Sequence, residues 1–378
     1  MSGATDHFDD LETRGPEARE AALMAALPGQ LAHAKAAAPG LARILENVDP
    51  EAVRDRAALA ALPVTRKSDL VRLQTEDPPF GGLTAGAAAR LFASPGPIYE
   101  LESARSGFWR TERALYAAGF RAGDLIHNCF AYHLTPGGWI LDAGARALGC
   151  TVIPAGPGNT EQQLECIAHL KPNAYVGVPD YLKILLDKAE TAGRPISSVK
   201  RALVSGGALF PSLRQEYRER GIRTYQVYAT ADAGIIAYES QAAIEFMEAA
   251  GRKTGESYRW DIMEKGDIFQ IAVRPLIRQV VEDFSAGVDR QSISGRFHRT
   301  LAEMLAGAAE LTRGKSGLNK VVLSGGVFNN YLLHENLAAL LDEKGFTVFT
   351  HREVPAGDGG ISLGQAMIGR QYLLDNSL

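Results

Sequence analysis

The sequence predicts a protein of the α/β class, in which N-terminal helices precede a mostly parallel sheet and a second α/β segment follows. Ala-rich stretches predict helices over Ala18–Leu27 and Leu31–Leu45, broken by Pro28 and by Pro39–Gly40. From Arg121 to Asp232, short apolar runs alternate with amphipathic segments. Such alternation is typical of a parallel sheet covered by helices on both faces. The alternation stops near Tyr238, where a different pattern begins.

The alternating region contains both the strands and the helices of the predicted sheet. The predicted strands are Asp124–Phe130, Thr151–Pro154, Ala174–Gly177, Arg201–Val204 and Thr224–Tyr228. The predicted helices are Trp139–Leu148, Thr160–Leu170, Asp180–Ala192 and Ser212–Arg220. Loops at the carboxyl ends of such strands line the ligand crevice of α/β proteins. Because these loops are rich in Gly, Ser, Thr, His and Asp, the sequence predicts a polar small-molecule site there.

The C-terminal part predicts helices followed by one further strand–turn–helix unit. The segments expected to be mostly helical are Gln241–Gly251, Asp267–Gly287 and Arg290–Leu311. The elements expected after them are, in order, strand Lys320–Leu323, the turn Ser324–Gly326, helix Asn329–Gly345, strand Phe346–Thr350 and a last helix opened by Asp358. Glycines between a strand and a helix favour nucleotide binding, since backbone N–H groups can then approach a phosphate.

Composition narrows the classes of function. A length of 378 residues suffices for two cores, and the net charge of −4 without a basic block argues against a nucleic-acid partner. No apolar run approaches the roughly 18 residues that a bilayer span needs, so no membrane partner is expected. The three cysteines lack metal-ligand spacing and are expected to be reduced thiols. We therefore expect a cytoplasmic protein.

Several motifs between Leu31 and Ser240 occur in the order found in one known enzyme family. These motifs are the segments Leu62–Leu70, Phe130–His133, Ser205–Leu209 and Tyr228–Asp232. Together they resemble the phenylacetate–CoA ligase branch of the adenylate-forming enzymes. The resemblance implies that residues 1–240 form the large domain of an ATP-dependent adenylation enzyme, whose small-molecule substrates are ATP and an aryl or acyl carboxylate.

The resemblance also implies roles for individual residues. His133 would lie near the acyl pocket and Thr230 would donate to phosphate, which makes them the catalytic candidates. Asp232 would supply an oxygen ligand for Mg²⁺. The nucleotide-binding candidates are Ser205, Gly206, Gly207 and Tyr228. The alternatives from the residues alone are a plain tight turn at Gly206–Gly207 and a structural histidine at His133.

Two departures from the family pattern predict an impaired adenylation enzyme. The expected phosphate loop is replaced by Ala93–Glu100, which contains two prolines and no lysine. Because proline has no backbone N–H, this segment offers fewer donors to a phosphate. Nothing after Ser240 resembles the family's ribose-binding Asp or its small domain with a catalytic Lys, so a complete thioester-forming cycle is not expected.

A second ordered series of motifs begins near Tyr238. Its strongest members are the runs Val321–Asn330, Gly345–Val348 and Asp358–Gln365. The series resembles the C-terminal part of the hydrogenase maturation carbamoyltransferase, which implies that residues 241–378 form a partial actin-like ATPase lobe. In that lobe Gly325, Gly326 and Asn330 would bind nucleotide, and Asp358 would bind a metal ion.

The second series also departs from its family. The resemblance implies a His-x-x-x-His metal-binding pair, and this sequence has no such pair. A transition metal at Asp358 would therefore have an incomplete ligand set. From the residues alone, the preferred interpretation of Asp358 is a helix N-cap, and only the resemblance favours the metal role.

Three hypotheses for function follow. The first is an enzyme that activates an aryl or acyl carboxylate with ATP and Mg²⁺. The second is a carbamoyltransferase of [NiFe]-hydrogenase maturation, which would use carbamoyl phosphate and ATP and meet a maturation partner protein. The third is a non-catalytic nucleotide-binding composite or gene-fusion artefact, impaired in both parent activities. The adenine nucleotide is the ligand that all three share.

Overall fold

The computed structural model describes residues 7–84, 86–94, 98–105, 107–242, 244, 256–265 and 268–350. The predicted last helix and Asp358 lie outside these residues, as does most of the predicted helix Gln241–Gly251. Among the described helices, none combines the length and the apolar character that a bilayer crossing requires.

The chain forms two compact units. The first unit comprises Met1–Leu203 with Val227–Tyr238, and the second comprises Val204–Gln226 with Glu239–Leu378. The predicted division after residue 240 places residues 204–226 with the N-terminal half, and it stays a prediction.

The N-terminal region of the first unit is helical, as predicted. Its helices are α1 (Pro16–Ala37), α2 (Pro39–Ile44), α3 (Arg56–Ala60) and α4 (Lys67–Glu76). The predicted break at Pro28 is wrong, since α1 continues through this residue. Pro28 is buried, and Leu31 packs with Leu45 and Val53 in a small core. The free energy gained by this packing offsets the cost of the hydrogen bond that the helix loses at the proline.

A six-stranded sheet follows, after an antiparallel hairpin of β1 (Ala88–Ser94) and β2 (Ile98–Ser103). The sheet order is β4-β3-β5-β6-β7-β8. Its strands are β3 (Leu125–Asn128), β4 (Thr151–Pro154), β5 (Ala174–Gly177), β6 (Arg201–Val204), β7 (Arg223–Thr230) and β8 (Gly234–Tyr238). The helices between them are α5 (Thr111–Ala117), α6 (Gly137–Ala147), α7 (Thr160–Leu170), α8 (Pro179–Thr191) and α9 (Pro211–Glu219).

The predicted α/β fold class is confirmed, and three strands of this sheet, β4, β5 and β6, have the predicted bounds. Strand β3 pairs in parallel with β4 and β5, and every residue of β5 is buried. Continuous burial of this kind requires cover on both faces, which is why β5 is an uninterrupted apolar run. Strand β8 was not predicted, and it pairs antiparallel with β7.

The second unit contains a hairpin, two long helices and a parallel strand pair. Its elements are β9 (Asp261–Lys265), β10 (Ile268–Ala272), α10 (Arg274–Ser285), α11 (Arg290–Ser316), β11 (Lys320–Leu323), a 3-10 turn (Gly326–Asn329), α12 (Tyr331–Glu343) and β12 (Thr347–Thr350). The helical prediction for Asp267–Gly287 is wrong over β10, which pairs antiparallel with β9. β-Branched and aromatic residues such as Ile268, Phe269 and Ile271 favour that strand.

The core of the second unit lies between the long helices and the parallel pair. Leu323 of β11 packs with Leu337 and Leu341 of α12, and Ala302 and Ala306 of α11 join the same cluster. Strands β11 and β12 pair in parallel from Lys320–Thr347 to Leu323–Thr350. This arrangement fixes the position at which the chain leaves β11 and enters the Ser-Gly-Gly turn.

The contact of α5 with α6 gives a testable prediction. A Cβ atom at Gly144 would lie 2.4 Å from Thr111 Cβ and 2.9 Å from the Glu112 backbone nitrogen. Gly144→Ala is therefore expected to lower the free energy of unfolding by about 1–3 kcal/mol, measured by urea denaturation and circular dichroism. Gly29→Ala is the control, because nothing lies within 4 Å of its Cβ position. The control should be neutral or stabilising by up to about 1 kcal/mol, and equal effects would contradict the prediction.

Candidate functional site

The loop between β7 and β8 carries the predicted phosphate and metal residues. Trp109 Nε1 donates to the Ala231 carbonyl at 3.0 Å, and the Arg110 guanidinium donates to the Ala233 carbonyl at 2.6 Å. The Ile235 backbone N–H donates to the Trp109 carbonyl at 3.1 Å. The Trp109–Arg110 segment therefore holds this loop at both of its ends.

Gly234 makes this arrangement possible. Its φ of +69° lies in the left-handed region, and it is buried. A Cβ atom here would lie 2.7 Å from the Trp109 carbonyl oxygen and 2.8 Å from Trp109 Cα. Only glycine combines this backbone conformation with such a close approach.

Three predicted residues, Tyr228, Thr230 and Asp232, lie on the β7–β8 hairpin. Thr230 Oγ1 accepts a hydrogen bond from the Ala233 backbone N–H at 3.2 Å, so its own hydroxyl hydrogen stays available for a ligand. The Asp232 side chain is exposed, and so is the Tyr228 ring. The hairpin thus presents a hydroxyl donor, a carboxylate and an aromatic surface to solvent.

Glu100 on β2 is a buried carboxyl group close to this hairpin. Burial raises its pKa, a hydrogen bond from the Ser94 hydroxyl lowers it, the charge of Asp232 raises it and that of Lys67 lowers it. The sequence prediction missed this residue, although a Glu one position beyond an apolar-aromatic pair was the available signal. The charge of Asp232 disfavours the ionisation of Glu100, and a cation would relieve that repulsion.

The carboxyl groups alone do not make a complete cation site. Among the residues that the structure describes, no group of three or more His, Cys, Asp or Glu side chains could hold a metal ion. Mg²⁺ typically takes one or two carboxylates and completes its shell with water and substrate phosphates. Asp232 fits this requirement.

His133 lies in the loop after β3, as predicted, and its side chain is exposed. The Leu134 carbonyl accepts from the Ala93 N–H at 2.8 Å, and Leu134 has a left-handed φ of +58°. The neighbouring Tyr132 hydroxyl accepts from Asn128 Nδ2 at 2.7 Å. The loop is fixed by its backbone and by Tyr132, which leaves the His133 imidazole open to solvent.

The loop after β4 is held by one buried amide, which the sequence prediction also missed. Gln163 Nε2 donates to the Gly156 and Gly158 carbonyls at 2.8 and 2.7 Å. Gln163 Oε1 lies 2.8 Å from His127 Nε2 and 3.3 Å from Cys129 Sγ. All four hydrogen-bonding positions of this side chain are therefore used. Its signal was a polar residue on the buried stripe of α7.

Ser205, Gly206 and Gly207 form the predicted turn after β6, in the second compact unit. Gly206 is exposed and has a φ of +69°, which favours glycine. The Gly207 carbonyl accepts from Gln226 Nε2 at 3.2 Å. The turn is built as predicted, and its nucleotide-binding role stays a prediction.

The Ser324–Asn330 segment of the second unit also forms a glycine turn. Gly325 has a φ of +109°, and its carbonyl accepts from the Phe328 N–H at 3.1 Å. Asn330 is the N-cap of α12, since its Oδ1 accepts from the Leu333 N–H at 3.2 Å. Asn330 Nδ2 lies 2.9 Å from Nε2 of the buried His298. The roles of Gly325, Gly326 and Asn330 in nucleotide binding stay predictions, and the metal candidate Asp358 lies outside the described residues.

The junction near Tyr238 is tied into the surrounding structure. Arg214 of α9 donates to both carboxylate oxygens of Glu239 at 2.8 Å. The Gln226 backbone N–H donates to Glu239 Oε2 at 2.7 Å, and Tyr225 Oη donates to Gln241 Oε1 at 2.9 Å. Side-chain hydrogen bonds therefore order the chain at the position where the two sequence patterns meet.

Comparison with protein families gives two matches of similar length. The model for "AMP-binding enzyme" matches residues 128–263. The model for "Carbamoyltransferase, Kae1-like Domain, second subdomain" matches residues 228–365. The two matches overlap over the Tyr228–Asp232 loop and the junction.

Curated relatives divide in the same way. Phenylacetate–coenzyme A ligase of Thermus thermophilus is 28% identical over 237 residues, covering 59% of this chain and 52% of the relative. The ligase of Aromatoleum evansii is 34% identical over 157 residues, covering 39% of this chain and 35% of the relative. Carbamoyltransferase HypF of Rhizobium leguminosarum is 36% identical over 141 residues, covering 36% of this chain and 17% of the relative. The chain thus spans about half or less of the relatives it matches.

Among solved structures, an open conformation of 2-hydroxyisobutyryl-CoA ligase in complex with 2-HIB-AMP and CoA superposes with a TM-score of 0.59. The identity is 22%, and the match covers 64% of this chain and 61% of that chain. At this identity the likeness shows the fold alone. The sheet and its helices therefore have the fold of adenylate-forming ligases.

The chain is thus a composite of two matched segments, one similar to AMP-binding enzymes and one similar to the second Kae1-like subdomain of carbamoyltransferases. More particularly, the first segment is similar to phenylacetate–CoA ligases and the second to the C-terminal part of HypF carbamoyltransferases.

Glu100 gives a prediction about pH. Because burial raises its pKa, any stability that depends on this group is present at pH values below the unfolded-state pKa and is lost as pH rises through the folded-state pKa. Glu100→Gln does not ionise and can keep a hydrogen bond to Ser94. The variant is therefore expected to be more stable than wild type at pH 8 and to show no gain at pH 4, in urea denaturation at both values.

The control is Glu76→Gln, which removes an exposed ion pair with Arg72. Its effect should stay within about 0.5 kcal/mol at both pH values. A Glu100→Gln variant that is less stable than wild type at pH 8 would contradict the assignment of Glu100 as a penalised buried carboxylate.

Proposed function

We propose that the chain binds ATP together with Mg²⁺ through its adenylation-type segment, recognises an aryl or acyl carboxylic acid, and does not carry that acid on to a thioester. The observation that carries the proposal is the β7–β8 hairpin, whose loop is fixed by Trp109 and Arg110 and which carries Thr230 and the exposed Asp232 two positions apart. The matched phenylacetate–CoA ligases support the class of acid.

The loop has the chemistry that a nucleotide phosphate and its cation require. Asp232 would supply one oxygen ligand to Mg²⁺, and the ion would offset phosphate charge. Thr230 would donate its hydroxyl hydrogen to a phosphate oxygen. Because the loop is already clamped, little ordering entropy would be lost when the ligand binds.

The second part of the proposal rests on the segment Ala93–Glu100. Its two prolines and its lack of lysine leave few donors for the developing charge of an adenylation reaction. We therefore expect this chain to retain nucleotide binding and to be impaired in the adenylation reaction.

Asp232→Asn tests the proposal. In isothermal titration calorimetry, wild type is expected to bind ATP more tightly with Mg²⁺ than without it, and the variant should lose about tenfold in affinity only when Mg²⁺ is present. Asp187→Asn is the matched control, since Asp187 forms an exposed ion pair with Lys183 on α8. The control should bind as wild type does.

Two results would count against the proposal. Undetectable ATP binding by wild type, or equal affinity in Asp232→Asn with Mg²⁺, would remove the nucleotide assignment. Formation of phenylacetyl-CoA from phenylacetate, ATP and CoA by the purified chain would overturn the claim that it stops before the thioester.

Carbamoyl transfer is a second candidate, supported by the match of residues 228–365 to the Kae1-like subdomain. Release of AMP and pyrophosphate that depends on carbamoyl phosphate would support this candidate. Because the carbamoyltransferases match over 11–18% of their length, we assign the chain to nucleotide binding first.

A further inference from the structure

His298 on α11 is almost fully buried, at 4% exposure, and contacts the turn that follows β11. Its Nδ1 lies 2.8 Å from the Ser294 carbonyl oxygen. Since a carbonyl oxygen can only accept, Nδ1 must carry the proton of the neutral ring. The lone pair of Nε2 is then left to accept from Asn330 Nδ2, which lies at 2.9 Å.

The Asn330 amide is consequently fixed from both sides. Its nitrogen donates to His298, and its oxygen accepts from the Leu333 N–H that opens α12. A flipped amide would place its oxygen against the Nε2 lone pair and its hydrogens against the Leu333 N–H. Both hydrogen bonds would be lost together, so the histidine tautomer dictates the amide orientation.

We propose that neutral His298 is the positioning residue of the turn Ser324–Asn330, and that protonation of its ring releases the Asn330 cap from α12. A protonated imidazolium has a donor at both nitrogens, so Nε2–H would face the amide hydrogens of Asn330. The amide can satisfy that donor only by turning its oxygen away from Leu333. The inference concerns the Kae1-like segment and does not depend on the proposed ATP site.

Two effects act on the pKa of the His298 ring, and neither comes from a charged group. Burial lowers its pKa and the hydrogen bond to the Ser294 carbonyl opposes that effect, with no contribution from a charged neighbour among the described residues. The ionisable groups on the neighbouring elements have partners of their own or face solvent. Arg296 pairs with Asp283 and Glu256, and Arg299 pairs with Glu303. The His334 ring contacts Phe328, and Glu335 of α12 and Asp261 of β9 are exposed.

Asn330→Asp tests the proposal because it should make residue 330 favour the protonated His298 ring over the neutral one. An aspartate keeps an oxygen for the Leu333 N–H and presents a second oxygen to Nε2, which favours the protonated ring. The variant is expected to raise the pKa of His298 by about one pH unit or more. The measurement is an NMR titration of the full chain labelled with ¹³C-histidine and ¹⁵N-leucine, with His298→Gln identifying the ring signal.

In wild type, the Leu333 amide signal is expected to move with the same midpoint as the His298 ring. Asn330→Ser should retain the cap through its hydroxyl while losing the reach to His298, so its Leu333 signal should no longer follow the titration. Asn319→Asp makes the same chemical change at an amide that donates to the Gly345 carbonyl, and it should leave the His298 midpoint in place.

Two outcomes would overturn the proposal. One is a pKa of His298 in Asn330→Asp equal to that of wild type. The other is a wild-type Leu333 signal that stays constant while the His298 ring titrates. If Asn330→Asp does not fold, the comparison of Asn330→Ser with wild type decides between coupling and its absence.

Discussion

The hydrogen bonds from Trp109 and Arg110 to the Ala231 and Ala233 carbonyls are the constraint on which the candidate site depends. They use up backbone acceptors that would otherwise need water or a ligand, and they fix the loop without using the side chains of Thr230 and Asp232. A loop held by its backbone can present its side chains to a partner. This arrangement requires glycine at position 234, because a Cβ atom there would collide with the backbone of Trp109.

The loop after β4 is also held through its backbone carbonyl groups. Gln163 holds the Gly156 and Gly158 carbonyls from below, while His127 and Cys129 occupy its other end. Burial raises the pKa of the Cys129 thiol to about 12, which makes it a poor nucleophile and a structural group. The loop after β4 is thus held by buried polar groups.

How much of this could be read from the sequence depended on burial. Strands such as Ala174–Gly177 are apolar on both faces, and their bounds follow from composition alone. The β1–β2 hairpin is partly exposed, and its strands are interrupted by Arg90, Glu100 and Glu102. Strand β8 is also partly exposed, and the prediction missed it although Gly234–Tyr238 is an apolar run. The helix through Pro28 was missed because its tertiary packing outweighs the local signal.

The candidate residues show a similar limit. Motif order placed Thr230 and Asp232 on one loop, since neighbours in sequence are neighbours in a hairpin. Glu100 and Trp109 come to that loop from distant parts of the chain, and no spacing rule links them to it. Asn330 could be read as a nucleotide contact, but its partner His298 lies 32 positions away and was visible only in the fold.

The pairing of Arg214 with Glu239 has a consequence for any attempt to express the two matched segments as separate proteins. A stop codon placed just before Glu239 would leave the guanidinium of Arg214, with a side chain only 12% exposed, without its carboxylate. A start codon placed just after Glu239 would remove both α9 and Glu239 from the remaining fragment. Dividing the chain at Glu239 would therefore break an ion pair that lies within a single compact unit.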